Sequence, residues 1–370
     1  MIKSIRLQNF FSFKDCTINL NPGANVLVGI NGSGKSNFFK AIELFKAGAL
    51  RQNHEELINN WNGLQNMIYQ NALKGNFLKI ESEFDVRSIP LKHSILYSKQ
   101  YSQFIDKTSR ITWGEICEFG NIDIANENST IDEEFDIHQP KDGYFAVDSS
   151  SIRFAQAYLK NQYENTFVYN GFNLGDVSEA SSFGGDKVLK SSGENLPHLL
   201  NYLNTIDKSA FSQIEEAMRK VNENFIKIDL VPFLDKLTFG ITEKNFNKTV
   251  LAYNLSDGTL RFLCLMAILY NPSRGSVVCI EEPELGLHPD MINTLYRAIK
   301  HASETSQVII STHSDHLLNY FNLDEVRVFE KDEENATVVE QFSEDDFKGW
   351  KDNFLVGKMW RSGTIGGNRW

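Results

Sequence analysis

The stretch Gly29-Ile30-Asn31-Gly32-Ser33-Gly34-Lys35-Ser36 constrains this chain more than any other. It satisfies G-x-x-x-x-G-K-[ST] at every fixed position, a pattern whose glycines let the backbone curl until successive N–H groups cradle phosphate oxygens. The flanks agree with it. Asn25-Val26-Leu27-Val28 is a short β-branched apolar run, as a buried strand requires, and Ser36 to Lys46 carries Phe38, Ala41, Ile42 and Phe45 at helical spacing. The helix N-terminus adds partial positive charge where phosphate would sit. Lys35 is then placed for the β- and γ-phosphates, and the Ser36 hydroxyl for Mg²⁺. The competing account is a glycine turn that matches by accident, and the strand and helix together weigh against it. The chain is expected to bind a nucleotide.

With 370 residues there is length for a large core in one or two domains. An apolar share of 41% and a charged share of 23% are those of an ordinary globular chain. A net charge of -11 speaks against a broad nucleic-acid-binding surface and leaves room for a local basic patch. Cys16, Cys117, Cys264 and Cys279 are scattered with no C-x-x-C pair, which points to a reducing compartment and to neither zinc nor a disulfide framework. Cys264 and Cys279 sit in apolar runs and read as core. No apolar stretch approaches the ~20 residues of a membrane span, and Met1 to Arg6 lacks a signal-peptide core. The expectation is a cytoplasmic protein with no membrane partner.

Along the chain, residues 2–28 read as an opening β-meander: a strand over Ile2 to Phe10, a turn at Ser12 to Asp15, a strand from Cys16 to Leu20, the turn Asn21-Pro22-Gly23, then the strand into the loop. Residues 48–75 are polar, with Trp61, Leu64, Met67 and Ile68 as anchors of helix and loop. Phe77 to Val86 alternates cleanly as an amphipathic strand. Further strands are expected at Ser94–Tyr101, Ser109–Phe119 and Tyr144–Val147, giving an antiparallel sheet beside the nucleotide core. Between Ile111 and Pro140 there is no Lys or Arg, and the acids gather at Asp132-Glu133-Glu134 and Asp136, a pattern read as a solvated loop. Phe167–Asn170 is a further strand, and Gly171 to Ser192 a Gly/Ser-rich loop. Asp207 to Phe225 sets Phe211, Ile214, Met218, Val221 and Phe225 on one helical face. No heptad pattern is sustained, which excludes a long coiled coil.

Three later stretches carry chemistry. Leu255-Ser256-Asp257-Gly258-Thr259 precedes an apolar helix from Leu260 to Tyr270. A Ser and a Gly at a helix N-terminus make an anion site, although Ser256 or Asp257 could simply cap the helix. Ser276 to Pro283 is a buried strand ending in Glu281 and Glu282, and strand ends with paired acids are where doubly wound folds keep their chemistry. Glu281 has the place to hold Mg²⁺ through water, and Glu282 to polarise an attacking water as general base. After a helix from Met291 to Ala302, Gln307 to Ser314 is another buried strand with His313 near its end. The tail adds strands at Glu325–Glu330 and Thr337–Glu340. It then mixes Lys348, Lys351, Lys358, Arg361 and Arg369 with Trp350, Phe354, Trp360 and Trp370, read as packing or protein binding.

The opening segment through Asn37, together with Ser256–Gly258, Glu281-Glu282-Pro283-Glu284, Leu287-His288-Pro289 and His313, resembles the ABC-type ATPases related to RecF, SMC and OLD proteins. Asp257 and Thr259 depart from the commonest signature, Glu281 replaces the more usual Asp, and His288 replaces the typical Asp of the D-loop. The likeness covers residues 1–46 and 250–320 well. It implies a P-loop NTPase of the ABC/RecF-SMC head type, an α/β fold with a mixed central sheet, an antiparallel β-subdomain and an inserted helical lobe. One ATPase domain spans 1–370, split into 1–46, 47–249, 250–320 and 321–370. ATP and Mg²⁺ are implied, with Asn31, Gly32, Ser33, Gly34, Lys35, Ser36 and Asn37 on the nucleotide and Ser36 and Glu281 on the metal. Ser256, Asp257 and Gly258 would bind the γ-phosphate of ATP held by a second subunit, and His313 would be the switch histidine. The implied assembly is an ATP-dependent homodimer, or a higher oligomer built from it. The Q-loop glutamine has no diagnostic context among Gln65, Gln70, Gln100 and Gln103. Ser192–Pro197 and Trp360–Trp370 resemble elements of the stand-alone ATPases of this superfamily. OLD-type nucleases carry a TOPRIM domain after the ATPase, and the tail here is too short for one. No nuclease motif is recognised, so a nuclease or toxin effector is expected in a separate protein. Two function classes follow: the sensor or regulatory ATPase of an anti-phage defence system, or a RecF/SMC-like ATPase acting directly on DNA.

Overall fold

The structure is a computed structural model, and it describes residues 1–50, 54–69, 77–86, 89–100, 103–113, 117–119, 149–182, 184, 186–244, 246–347 and 355–366. Strands are numbered β1 to β16 along the chain. Three sheets form among the described residues. The first is antiparallel, in the order β2-β1-β4-β5-β6-β7, from β1 (Ile2–Phe10), β2 (Phe13–Asn19), β4 (Phe77–Val86), β5 (Ile89–Gln100), β6 (Gln103–Trp113) and β7 (Cys117–Phe119). The second runs β16-β15-β3-β14-β13-β8, from β3 (Ala24–Gly29), β8 (Thr166–Tyr169), β13 (Val277–Glu281), β14 (Gln307–Ser311), β15 (Val326–Lys331) and β16 (Thr337–Glu340). It is parallel except for β16. A small third sheet joins β9 (Ser181–Ser182), β10 (Phe225–Phe233), β11 (Lys236–Glu243) and β12 (Val250–Leu251).

The parallel strands read as continuous apolar runs because both faces are covered. Successive side chains point to opposite sides. Val26, Val28, Val278, Ile280, Val308, Ile310, Val326 and Val328 enter one core with the helices that follow residue 195. Leu27, Val277, Cys279, Ile309 and Phe329 enter the other, with the antiparallel sheet. Helix Lys35–Leu50 lies in that second core and is buried nearly all round, through Phe38, Phe39, Ala41, Ile42, Leu44 and Phe45. The clean alternation in Phe77–Val86 reappears as inward Leu78, Ile80, Ser82, Phe84 and Val86.

Several expectations need correction. The opening segment is not a three-strand meander, because β3 leaves the antiparallel sheet for the parallel one. Later residues pin the crossing. Gln307 Nε2 donates to the carbonyls of Ile2 (2.7 Å) and Asn21 (2.8 Å), and buried Arg327 donates to Asn19 O (2.8 Å) and Asn21 Oδ1 (2.9 Å). The first turn lies at Phe11–Ser12, since Phe13 already pairs with Phe10 in β2. The helix after Asp207 is Lys208–Val221, and Phe225 instead opens β10. The lobe expected to be helical therefore carries a hairpin as well. The 171–192 loop contains a short helix, Leu174–Ser178, and β9. The strand expected at Tyr144–Val147 and the acids at 132–136 lie outside the described residues. The longest helices described have 16 residues, and no helix among the described residues is long and apolar enough to cross a membrane.

Candidate functional site

The C-terminal ends of β3, β13 and β14 lie side by side in the parallel sheet, and each delivers part of the site. From β3 the chain enters the glycine loop. Gly32 has φ 79 and nothing within 4 Å of where a Cβ would stand, so that side of the loop is open for a ligand. Gly34 has φ 114, and a Cβ there would meet Thr337 Oγ1 at 2.4 Å and Ser12 Oγ at 2.9 Å. Only glycine fits this close approach. Thr337 Oγ1 stands 2.7 Å from Ser33 O and 2.8 Å from Ser12 Oγ, so β16 and the β1–β2 turn buttress the loop from behind. Asn37 belongs to the same brace, its side-chain amide donating to Ser12 Oγ (3.0 Å). Asn31 is exposed, whereas Ser33 is buried and its Oγ has no hydrogen-bond partner among the described residues.

Lys35 Nζ donates to the loop's own carbonyls, Gly29 O (2.8 Å) and Ile30 O (3.1 Å). Burial lowers its pKa to about 8, opposed by the carboxylates of Glu282 and Glu281. The Ser36 hydroxyl donates to Glu281 Oε1 at the end of β13. A hydroxyl in contact with a carboxylate is a hard-oxygen pair of the kind that would hold Mg²⁺. The N-terminus of helix Lys35–Leu50 and the Lys35 side chain fit a polyphosphate in the same way.

Glu282 has φ 45, a left-handed conformation that costs a non-glycine residue about 1–2 kcal/mol. Its N–H is held by Ser311, within 3.1 Å of the carbonyl and 3.2 Å of Oγ. His313 Nε2 lies 3.4 Å from Glu282 Oε1, and His313 stands two residues beyond the end of β14. Lys35, Ser36, Glu281, Glu282 and His313 are therefore gathered at one edge of the sheet.

The Ser256–Gly258 turn is built differently. Ser256 caps helix Asp257–Leu269, its Oγ accepting from Thr259 N (3.2 Å), so the capping geometry and an open helix N-terminus coexist. Among the described residues, no hydrogen bond or ion pair joins Ser256, Asp257 or Gly258 to the glycine loop. Gly258 instead packs flush on the loop after β13, where a Cβ would lie 2.9 Å from Gly286 O.

Sequence reasoning missed Thr337 and Ser12, which lie far from the loop in sequence. It also assigned no role to Glu284. Glu284 Oε1 accepts from Thr312 Oγ1 (2.6 Å) and from His313 N–H (3.0 Å), and burial raises its pKa against those hydrogen bonds. The signal was available, since Glu284 sits in the quoted Glu-Glu-Pro-Glu run. The glutamine left unplaced stays so. Beside β13, strand β8 ends at Tyr169, followed by Asn170, whose amide donates to Glu43 Oε1 (3.0 Å). In the tail, helix Val356–Arg361 packs on Asp315–Leu318 just after His313, with Trp360 buried and Arg361 Nη1 3.1 Å from Asp315 Oδ2. Packing thus accounts for the described part of the tail, and Trp350, Phe354, Arg369 and Trp370 lie outside the described residues. Asn195, in the 192–197 element, staples its loop by donating to Val188 O (3.0 Å) and accepting from Lys190 N (2.9 Å).

Comparison with known proteins divides the chain at β8. Residues 1–173 match a family described as "AAA ATPase domain", and residues 166–319 one described as "AAA domain, putative AbiEii toxin, Type IV TA system". The chain is similar to the Old nuclease of Escherichia phage P2, 23% identical over 86% of this chain and 57% of that protein. It is also similar to the "Retron Vc95 probable ATPase" of Vibrio cholerae serotype O1 biovar El Tor, 22% identical over 88% of this chain and 73% of that one. Among solved structures, an Smc head bound to the C-winged helix domain of ScpA superposes with a TM-score of 0.62 at 14% identity, covering 94% of this chain and 99% of its own.

Proposed function

This chain is an ABC-type ATPase of the RecF/SMC/OLD-like group, and from that premise we propose that two copies close on two ATP molecules and open on hydrolysis. The carrying observation is the pair of contacts around Lys35, with Ser36 on Glu281 and His313 on Glu282, while Ser256–Gly258 shares none of them. In this reading each site takes its glycine loop from one copy and its Ser256–Gly258 turn from the other. Lys35 leaves the carbonyls of Gly29 and Ile30 for the β- and γ-phosphates. Ser36 and Glu281 would hold Mg²⁺, which would supply positive charge to the phosphates. Glu282 accepts the proton of the attacking water, its carboxylate aimed by the left-handed backbone and steadied by His313. Tyr253 and Leu285, exposed at 66% and 55% beside the signature and the D-loop, supply apolar surface for the closed pair.

Closure is a population shift driven by contacts that exist only in the closed state. Glu282→Gln is therefore expected to cut hydrolysis by about 10²-fold or more and to accumulate an ATP-bound dimer. Light scattering on size-exclusion fractions measures it, and a variant that stays monomeric at saturating ATP rejects the sandwich.

We infer further that the chain is a cytoplasmic sensor or regulatory ATPase of a defence system, working with a separate nuclease or toxin. The likeness to a retron ATPase and to a toxin-system family supports that reading as analogy. The likeness to Old nuclease favours a second reading, direct action on nucleic acid. Salt-dependent DNA binding by the purified dimer would select the second; a stable complex with another protein and no DNA affinity would select the first.

A further inference from the structure

The loop after β13 and the segment after β14 are joined by one carboxylate. Glu284 lies in the first and receives two donors from the second, the Thr312 hydroxyl (2.6 Å) and the His313 amide (3.0 Å). Around this clamp the backbone is tied on every side. Thr312 N–H donates to Leu27 O on β3 (3.0 Å), Ser314 N–H donates to Thr312 Oγ1 (3.0 Å), and Ser314 Oγ accepts from Leu317 N (3.1 Å) to cap the next short helix. On the other strand, Glu282 N–H is held by Ser311. The two side chains that meet at 3.4 Å, Glu282 and His313, thus hang from loops whose relative position Glu284 sets. The loop itself is turned toward Glu284 by backbone bonds from Leu285 N to Glu282 O and from Leu287 N to Glu284 O, each 3.0 Å.

We propose that Glu284 is a positioning residue for hydrolysis, holding the His313 backbone so that its imidazole stays on Glu282. The proposal rests on the composite-site reading above. Glu284 touches none of Lys35, Ser36 or Glu281 by hydrogen bond among the described residues, so its loss should act on turnover and spare nucleotide capture.

Steady-state ATP hydrolysis and hydrogen exchange at the His313 amide test it together in the full chain. Glu284→Ala is expected to lower kcat about tenfold or more, with KM for ATP within about twofold. Exchange at His313 should rise by a similar factor, because that amide loses its acceptor. Glu284→Gln keeps a carbonyl oxygen for both donors and is expected to restore most of the rate and the protection. Glu284→Ala combined with His313→Ala should be no slower than His313→Ala alone. Losses that multiply, a His313 amide whose exchange does not change, or a rise in KM with kcat intact would each overturn the proposal. Should Glu284→Ala not fold, Thr312→Val removes one donor and carries the test, with a smaller loss of kcat and faster exchange expected at His313. If Glu282→Gln and His313→Ala both hydrolyse ATP like the parent chain, the composite-site reading fails first, whereas exchange at His313 still reports on the clamp.

Discussion

The two large sheets do different work. In the parallel sheet, β3, β13 and β14 are five or six residues long, are buried on both faces, and end in the glycine loop, Glu281 and the approach to His313. In the antiparallel sheet, β1, β4, β5 and β6 run nine to twelve residues, β4 alternates inward and outward, and no site residue lies on a strand. Parallel strands aim all their C-terminal ends at one edge, and side chains just beyond them converge whatever loops follow. Antiparallel neighbours point their ends in opposite directions and cannot gather chemistry in this way. They provide instead a wall against which helix Lys35–Leu50 is fixed, through Phe45 packed on His93 of β5 (5.3 Å) and on Tyr163 of helix Ser149–Glu164 (5.8 Å), which is itself hydrogen-bonded to His93 and to Ser82 of β4.

Substitution on each side should expose this division. Lys35→Ala is expected to weaken nucleotide binding by about 100-fold, the value of a charge-assisted phosphate contact, with little change in unfolding midpoint. Titration with a fluorescent nucleotide reads it. The mirror experiment is Ile80→Ala on β4, fully buried in the core it shares with that helix. It should cost about 2–5 kcal/mol in urea unfolding and leave nucleotide affinity within a fewfold. A tenfold loss of affinity there would show that the antiparallel wall is part of the site.

A subtler test uses Lys35 alone. Its folded pKa of about 8 lies below the ordinary 10.5, so without nucleotide it is partly uncharged above pH 8. Phosphates favour the charged form, and binding near pH 8 should take up roughly half a proton, falling toward none near pH 6.5. Calorimetry in two buffers of different ionisation heat measures it. The same shift fixes the sign of the stability slope. Below pH 8 both states carry the proton; between about 8 and 10.5 only the unfolded chain does, so the nucleotide-free fold gains stability as pH rises. The smallest effect concerns Glu282. Because its φ is 45, Glu282→Gly should be about 1 kcal/mol more stable than Glu282→Ala by thermal unfolding, and equality would mean the loop stores no strain there.

Much of the site was legible because its parts are contiguous motifs. Gly29–Ser36 needs only its own residues to curl, and Glu281-Glu282 after an apolar run marks a strand end without help from elsewhere. The β10–β11 hairpin was not legible. Its two-residue turn, Leu234-Asp235, puts leucine at φ 56 where Gly or Asn would have announced it, and Pro232 in β10 argues against a strand. Phe225 continues the helical stripe in sequence yet opens β10, because the chain has already turned at Asn222.

By itself, then, the sequence named the candidate residues and the strands that carry them, because a motif's geometry is set within a few residues. The tertiary structure decided the partnerships. It sent β3 away from β1 and β2, set Thr337 of β16 behind Gly34, and placed Glu284 under the His313 amide. Those pairings join residues up to about 300 apart, and their choice depends on how two cores fill the two faces of one sheet. No local pattern encodes that.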